Sequence, residues 1–334
     1  MNISTSNLSD TLRWGIIGCG DVTERKSGPA FYKSPSSALA AVMRRDADKA
    51  RDYAQRHGVA HWYVDAQQLI DDPEVDAVYV ATPPDTHEYY TIAALQAGKP
   101  VYVEKPMAID VAACKRMLQA SQATDVKLCV AHYRRAVPMF AQIRQWLLTG
   151  EIGEVRTVRI SMLQADKPET LSDPRIRWRV TPETSGPGGH FYDIAPHQLD
   201  LMLHFFGAIR AYHGFSVNQA GSYPARDAVC GAIEFSSGVL LTGLWAFTVH
   251  EAQTEDLCEI QGTKGIIRFP FFGQRVEVIR QGVRMAMAFE HPEHIQQPMI
   301  ERVNAYFKGE APNPCSAEEA LTTLRIMEQF ASQG

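Results

Sequence analysis

Leu12-Arg13-Trp14-Gly15-Ile16-Ile17-Gly18-Cys19-Gly20-Asp21-Val22-Thr23 is the stretch whose reading decides the fold. An apolar run breaks at Gly18-Cys19-Gly20, and glycines at that spacing permit a tight turn and close approach of a pyrophosphate to the backbone. The N-terminus of a following helix favours the phosphate charge. Thr23 fills the third small position of the pattern, which loosens the fingerprint without breaking it. Gly18, Gly20, Asp21 and Val22 are the first candidate cofactor contacts. An isolated G-x-G also fits a purely structural turn, so its surroundings decide.

Those surroundings alternate. Strand-like runs cover 12–18, 38–43, 77–81, 101–104 and 127–131, and helix-like segments cover 47–57, 66–70, 88–97 and 111–124. Such alternation predicts a doubly wound parallel sheet, an α/β Rossmann domain with ligands at the carboxyl ends of its strands. Near residue 133 the pattern changes. A helix at 138–149, a strand at 155–162, a Gly/Pro-rich loop and a helix at 193–206 come first. Strand patterns then succeed one another at 209–217, 228–235, 239–248, 257–262, 265–269, 275–279 and 284–289, before helices at 295–308 and 316–332. The expectation is a nucleotide-binding domain over 1–132 and an α+β domain over 133–334 built on a largely antiparallel sheet.

The chain has 334 residues, 45% hydrophobic and 21% charged, with a net charge of −5 and no basic run. Nucleic-acid or anionic-membrane binding is therefore not expected as the main activity. The six cysteines show no CxxC or Cys/His zinc spacing, so they read as reduced core residues of a cytosolic protein. Residues 1–12 carry no signal-peptide pattern, and no apolar run is long enough to span a bilayer, so a cytoplasmic protein is expected.

Four further segments carry chemistry. At the end of the second strand stand Met43-Arg44-Arg45-Asp46. An acid there suits the ribose 2′-hydroxyl of NAD, whereas an arginine suits the 2′-phosphate of NADP. Arg44 and Arg45 point to NADP; Asp46 keeps NAD open, and a solvated basic turn is the alternative. Ala81-Thr82-Pro83-Pro84-Asp85-Thr86-His87 follows another strand at the ligand end of the sheet, making Ala81, Thr82, Pro83 and His87 candidate cofactor contacts. Glu104-Lys105-Pro106 ends the next strand, making Glu104 and Lys105 candidate cofactor contacts, and a partly desolvated lysine near a nicotinamide suits acid–base work. An edge salt bridge fits that segment equally well. Finally, Asp193 and His197 are four apart and Asp200 three further on, sharing a helix face on which a carboxylate can orient an imidazole. A structural ion-pair network is the alternative, and a metal site is not expected from so few ligands.

Together these segments resemble the Gfo/Idh/MocA family (glucose–fructose oxidoreductase, inositol dehydrogenase and relatives). The matching pieces are Gly15-Ile16-Ile17-Gly18-Cys19-Gly20, Ala81-Thr82-Pro83-Pro84 with His87, Glu104-Lys105-Pro106, and Gly188-Gly189 with Asp193 and His197, in the family's order. The resemblance implies a Rossmann domain followed by an open-sheet domain that associates face to face in homodimers or homotetramers. It implies that Lys105, Asp193 and His197 are catalytic, with His197 the acid/base and Asp193 its orienting partner. Lys105 would hydrogen-bond substrate and cofactor. Trp178-Arg179 would stand near the nicotinamide and Tyr133 would line the substrate site. The implied activity is NADP-preferring hydride exchange with a secondary alcohol or carbonyl of a sugar, polyol or similar hydroxylated small molecule. A redox-neutral hydrolase or epimerase with tightly bound NAD, and a silent dinucleotide sensor, are the rival readings. Lys167, Arg175, Arg177 and Arg226 are either contacts for an acidic substrate or solvated charges.

Overall fold

A computed structural model describes residues 11–166 and 170–332, apart from the side chains of 174 and 175. The chain forms two compact units. In the first, β1 (Leu12–Ile17), β2 (Ser37–Met43), β3 (His61–Tyr63), β4 (Ala77–Val80), β5 (Val101–Val103) and β6 (Leu128–Val130) make a six-stranded sheet in the order β3-β2-β1-β4-β5-β6. Every pairing is parallel. The central strands are apolar runs because helices cover both sheet faces: β4 is buried throughout, and β1 leaves only Arg13 partly open. Connecting these strands are α1 (Asp21–Arg25), α2 (Gly28–Lys33), α3 (Ala47–His57), α4 (Ala66–Asp71), α5 (His87–Gln96) and α6 (Val111–Thr124).

Local chemistry sets the helix ends. Asp46 caps α3 by accepting from the Lys49 N–H, and Gly58 closes it at φ +66°. The strand β3 escapes sequence reading because its three residues are largely exposed and form no apolar run.

The two units do not divide the sequence at a single point. Pro292–Glu318 belongs with the first unit, so the expected assignment of everything after residue 133 to the second requires correction. The reason is the core around Trp14. Its Nε1 donates to Asn304 Oδ1 at 3.0 Å, and its rings lie 4.8 Å from Phe31 and 5.5 Å from Phe307. Asn304 and Phe307 sit on α11 (Gln297–Lys308), which packs against β1 through these contacts. Lys127 Nζ donates to the Tyr306 and Phe307 carbonyls at that helix's C-terminus.

The second unit comprises Ile109–Val111, Arg134–His291 and Glu319–Gly334. Its helices are α7 (Pro138–Leu148), α8 (Pro174–Arg177), α9 (Pro182–Ser185), α10 (His190–Phe206) and most of α12 (Ala317–Ala331). Its strands are β7 (Val155–Ala165), β8 (Ile209–Val217), β9 (Ala228–Phe235), β10 (Leu240–Val249), β11 (Glu255–Gly262), β12 (Gly265–Phe269), β13 (Arg275–Arg280) and β14 (Val283–Ala288). They run in the order β14-β13-β12-β11-β7-β10-β9-β8. Only β7–β10 is parallel; the other pairings are antiparallel.

One sheet face packs on helices. Phe191 of α10 meets the buried Trp245 at 5.1 Å, and Phe330 of α12 lies against Gly214 and Gly231, where added Cβ atoms would come within 2.6 Å of its ring. Burial of Phe191 and Tyr192 explains why α10 starts at His190 and not at Asp193 as the sequence suggests. The other face is open. No helix among the described residues is long and apolar enough to cross a membrane. All six cysteines are free; five are buried as expected, while Cys230 is exposed.

A buried ion pair anchors this unit. Arg135 donates from Nε and Nη2 to Asp200 at 2.8 and 2.6 Å, with both side chains about 2% exposed or less. Asp200 is thereby engaged in an ion pair with Arg135, as the structural alternative for this helix face expects. Near this pair, burial first and then the Arg135 and Arg144 cations push the His204 imidazole down to about 4. The folded chain therefore holds His204 neutral, while the unfolded chain accepts a proton below about 6.5. Stability is complete above that pH and declines as pH falls towards 4, by roughly 1–3 kcal/mol after allowance for partial exposure. In urea denaturation, His204→Gln should lose that much less stability than the native chain between pH 6.5 and 4.

Candidate active site

The glycine-rich turn leaves the carboxyl end of β1 between β2 and β4. Gly18 N–H donates to the Met43 carbonyl and Ala81 N–H to the Ile17 carbonyl, binding the ends of three strands together. Gly18 adopts φ +100°, and a Cβ there would stand 2.8 Å from the Ala81 backbone and the Thr82 methyl. Only glycine fits. At Gly20 a Cβ would meet nothing within 4 Å, so open space lies beside the turn's backbone. That combination suits a pyrophosphate seated against peptide N–H groups.

Thr23 no longer looks like a defect. It is fully buried, and its N–H and Oγ1 both donate to the Gly20 carbonyl at 3.0 and 2.8 Å. Close packing, the task of the third glycine in the usual fingerprint, falls on Gly28, where a Cβ would lie 2.1 Å from the Thr23 carbonyl oxygen. Asp21 and Val22 begin α1, which is only five residues long and so contributes little dipole. Burial pushes the Cys19 thiol up to about 12, leaving it unreactive at neutral pH.

Arg44 follows β2 and donates from Nη1 to the Cys19 carbonyl at 2.6 Å, which sets its guanidinium beside the turn. Arg45 is exposed. The Asp46 carboxylate is taken by the start of α3, accepting from Lys49 N–H at 3.2 Å and pairing with Lys49 Nζ at 2.9 Å.

The Thr82 loop and Lys105 leave the neighbouring strands β4 and β5. Thr86 Oγ1 donates to Thr82 Oγ1 at 2.8 Å, closing the Ala81-Thr82-Pro83 turn. His87 is buried, with Nε2 2.8 Å from the Thr82 carbonyl and Nδ1 3.0 Å from the Pro106 carbonyl. It thus ties the two loops together. Both nitrogens donate only in the imidazolium, yet burial lowers the proton affinity of the ring.

Glu104 is buried too. Its Oε1 accepts from Tyr79 OH at 2.6 Å and Gln296 Nε2 at 2.8 Å, and its Oε2 accepts the Lys105 N–H at 3.0 Å. Burial, reinforced by the Glu104 charge, pushes the Tyr79 phenol well up, so it remains a donor. Lys105 precedes a cis peptide bond to Pro106, and its side chain is half-buried. His87 and Glu104, read from the sequence as cofactor contacts, are engaged with protein groups and position the loops around them. Tyr79 and Gln296 had no sequence signal: one reads as strand core, the other lies far along the chain.

In the second unit, α10 carries Asp193 and His197. Pro196 interrupts its hydrogen bonding one residue before His197. Arg179 Nε donates to Asp193 Oδ2 at 3.1 Å, and the Arg179 guanidinium lies 4.6 Å over the Trp178 ring. Trp178-Arg179 therefore buttresses Asp193. His197 is 6% exposed, with its ring edge-on to Phe272 at 6.0 Å. Arg134 covers the same Phe272 ring at 4.3 Å, and Asp256 accepts the Phe271 and Phe272 N–H groups. Gln198, next to His197, accepts from Trp245 Nε1 at 2.5 Å. Phe272 and Gln198 were missed because neither belongs to a motif. Tyr133 is buried in the short turn that follows β6. Lys167 lies outside the described residues, as does the side chain of Arg175.

The family profile for the Gfo/Idh/MocA oxidoreductases with NAD-binding Rossmann fold matches residues 12–132. The profile for the Gfo/Idh/MocA C-terminal domain matches residues 140–268. An oxidoreductase of Formosa agariphila is 42% identical over 97% of this chain and 99% of its own. The 1,5-anhydro-D-fructose reductase of Ensifer adhaerens is 28% identical over 76% of this chain and 74% of its own. In fold, the solved levoglucosan dehydrogenase bound to NADH and levoglucosan resembles the chain with a TM-score of 0.83, at 22% identity over 96% of both chains. With both profiles matched in order and a relative aligned from end to end, the chain is a member of the Gfo/Idh/MocA family of NAD(P)-dependent oxidoreductases.

Proposed function

We propose that this chain is an NADP-preferring dehydrogenase or reductase acting on a secondary alcohol or carbonyl of a sugar, polyol or related hydroxylated small molecule. The observation that carries the reading is Lys105, anchored through its own N–H to a buried carboxylate beside the glycine-rich turn's neighbouring loop. A relative that reduces 1,5-anhydro-D-fructose supports the substrate class. Gly18, Gly20, Asp21 and Val22 hold the pyrophosphate, and Ala81, Thr82 and Pro83 border the nicotinamide side. The nicotinamide, when bound, supplies the two-electron hydride acceptor or donor.

The chain's own residues handle protons and position. In the oxidation direction the carbinol carbon would give up its hydrogen as hydride to the nicotinamide, while His197 takes the hydroxyl proton as general base and the C=O bond forms. Asp193, steadied by Arg179, fixes the imidazole orientation. Lys105 donates to the reacting oxygen, and Tyr133 lines the substrate site. In the reduction direction the proton returns from His197 to the new alkoxide.

NADP preference rests on Arg44. It stands at the turn, while Asp46, the acid that would serve an NAD ribose, is occupied by Lys49. Self-association through the open sheet face is part of the same reading. Phe215, Cys230 and Leu244 are register neighbours on β8, β9 and β10, and Phe215 and Leu244 are 57% and 44% exposed. Beside them runs a row of alternating charge, Arg159, Glu259, Arg268 and Glu277. An exposed apolar patch on an open sheet face suits an isologous homodimer or homotetramer. Free, mostly buried cysteines suit a cytoplasmic setting.

A panel of sugars, polyols and diols, read by absorbance with NADP and with NAD, should reveal turnover. Lys105→Ala and His197→Ala should each lower kcat by about 10²–10⁴-fold with cofactor affinity largely kept, and unchanged turnover would remove their catalytic assignment. Arg44→Asp should shift the ratio of kcat/KM for NADP over NAD at least about tenfold towards NAD. An unmoved ratio would mean that Arg44 does not read the 2′-phosphate. Leu244→Arg should sediment as a smaller species than the native chain; identical sedimentation would place the interface elsewhere.

A further inference from the structure

Gln296 lies outside every motif of the sequence, yet it joins two parts of the cofactor-binding unit. The segment Pro292–Gln297 packs along the residues that leave the glycine-rich turn. His294 Nδ1 stands 2.7 Å from the Arg25 carbonyl, its Nε2 stands 2.7 Å from Lys33 Nζ, and Gln296 N–H donates to the Lys26 carbonyl at 3.1 Å. From this fixed backbone the Gln296 side chain, 1% exposed, reaches Glu104 and donates from Nε2 to Oε1 at 2.8 Å. The opposite amide orientation would set an oxygen against a carboxylate oxygen, so the donor must face Glu104. The Gln296 Oε1 has no hydrogen-bond partner among the described residues. A buried acceptor left unsatisfied costs stability, so stability alone does not select glutamine here.

Glu104 passes the connection on. Its Oε2 accepts the N–H of Lys105, while Tyr79 OH, which also lies 3.2 Å from Ser27 Oγ, shares Oε1 with Gln296. Ser27 Oγ in turn donates to the Val22 carbonyl at the start of α1. We infer that Gln296 is a positioning residue for Lys105, which through Glu104 locks the end of β5 to the Arg25–Ser27 segment behind the glycine-rich turn. The lysine's backbone and the segment behind the glycine-rich turn are then held by one buried network, in which loss of the Gln296 donor frees the end of β5 and leaves the turn's own hydrogen bonds in place. This inference rests on the proposed role of Lys105 in turnover.

The test uses the full chain, with the substrate and cofactor that give turnover in the panel. Gln296→Leu keeps the approximate bulk but removes the donor. It should lower kcat about 10–100-fold, with the dissociation constant of the reduced cofactor, read by fluorescence titration, within about threefold of native. Gln296→Glu supplies a donor only when protonated, and its proximity to the Glu104 carboxylate raises the pH at which it loses that proton. Its kcat should approach the native value at acid pH and fall with a one-proton slope as pH rises. The groups facing that position are Glu104 and Tyr79, with His87 and Lys105 beyond them and His294 two residues before. All are present in the native chain, whose profile is the control. Circular dichroism at each pH confirms the fold, so Gln296→Glu decides the matter even if Gln296→Leu fails to fold. A native kcat for Gln296→Leu, or a Gln296→Glu profile parallel to the native one, overturns the inference. If Lys105→Ala turns over normally, the proposed function fails instead; if Lys105→Ala is inactive and the Gln296 variants are normal, only this inference fails.

Discussion

A carboxylate buried in a protein must find donors or lose its charge, and the first unit is arranged around one that finds them. Glu104 sits at the carboxyl end of β5 with three donors on two oxygens. Tyr79 comes from the adjacent strand, Gln296 from a segment near the end of the chain, and the third donor is the backbone of Lys105. Because these donors arrive from separate elements, satisfying the one charge fixes strand β4, the end of β5 and the returning segment at once. His87 does the same for the neighbouring loop with two carbonyls. Lys105 and Thr82, proposed to touch cofactor or substrate, are thus held in place by the hydrogen bonds of Glu104 and His87.

The second unit solves a similar problem with an ion pair. Arg135 and Asp200 satisfy each other in a dry setting, a geometry in which removal of either partner strands a charge. That pair fixes the middle of α10 against the turn after β6, while Arg179 holds Asp193 at the first turn of the same helix. Between these anchors Pro196 removes one backbone donor beside His197. The helix is therefore pinned at both sides of the residue proposed to move a proton. Phe272, itself fixed through Asp256, bounds the imidazole with an aromatic edge.

Much of the fold was legible because its signals are local. The run from Leu12 to Ile17 is apolar since a central parallel strand is covered on both faces, and helix α3 carries its own cap and stop at Asp46 and Gly58. Strand β3 was hidden because an exposed three-residue edge strand needs no apolar pattern. Among the candidate site residues, Gly18, Arg44, Thr82 and Lys105 lie where the motifs put them. The protein partners of Glu104 and His87 were not legible, because a motif shows which residues are present and not which way they face.

The sequence by itself determined the alternation of the main strands and helices and the glycine at Gly18 that alone tolerates its backbone conformation. Tertiary structure decided what spacing cannot encode. Trp14 meets Asn304 across 290 residues and Glu104 meets Gln296 across 192, so the late segment Pro292–Glu318 completes the first unit. Asp200 became structural by pairing with Arg135, and Thr23 became compatible with the glycine turn because Gly28 supplies the close packing. Periodicity reports how a segment meets its immediate surroundings; which distant donor reaches a buried charge is fixed only when the chain has closed on itself.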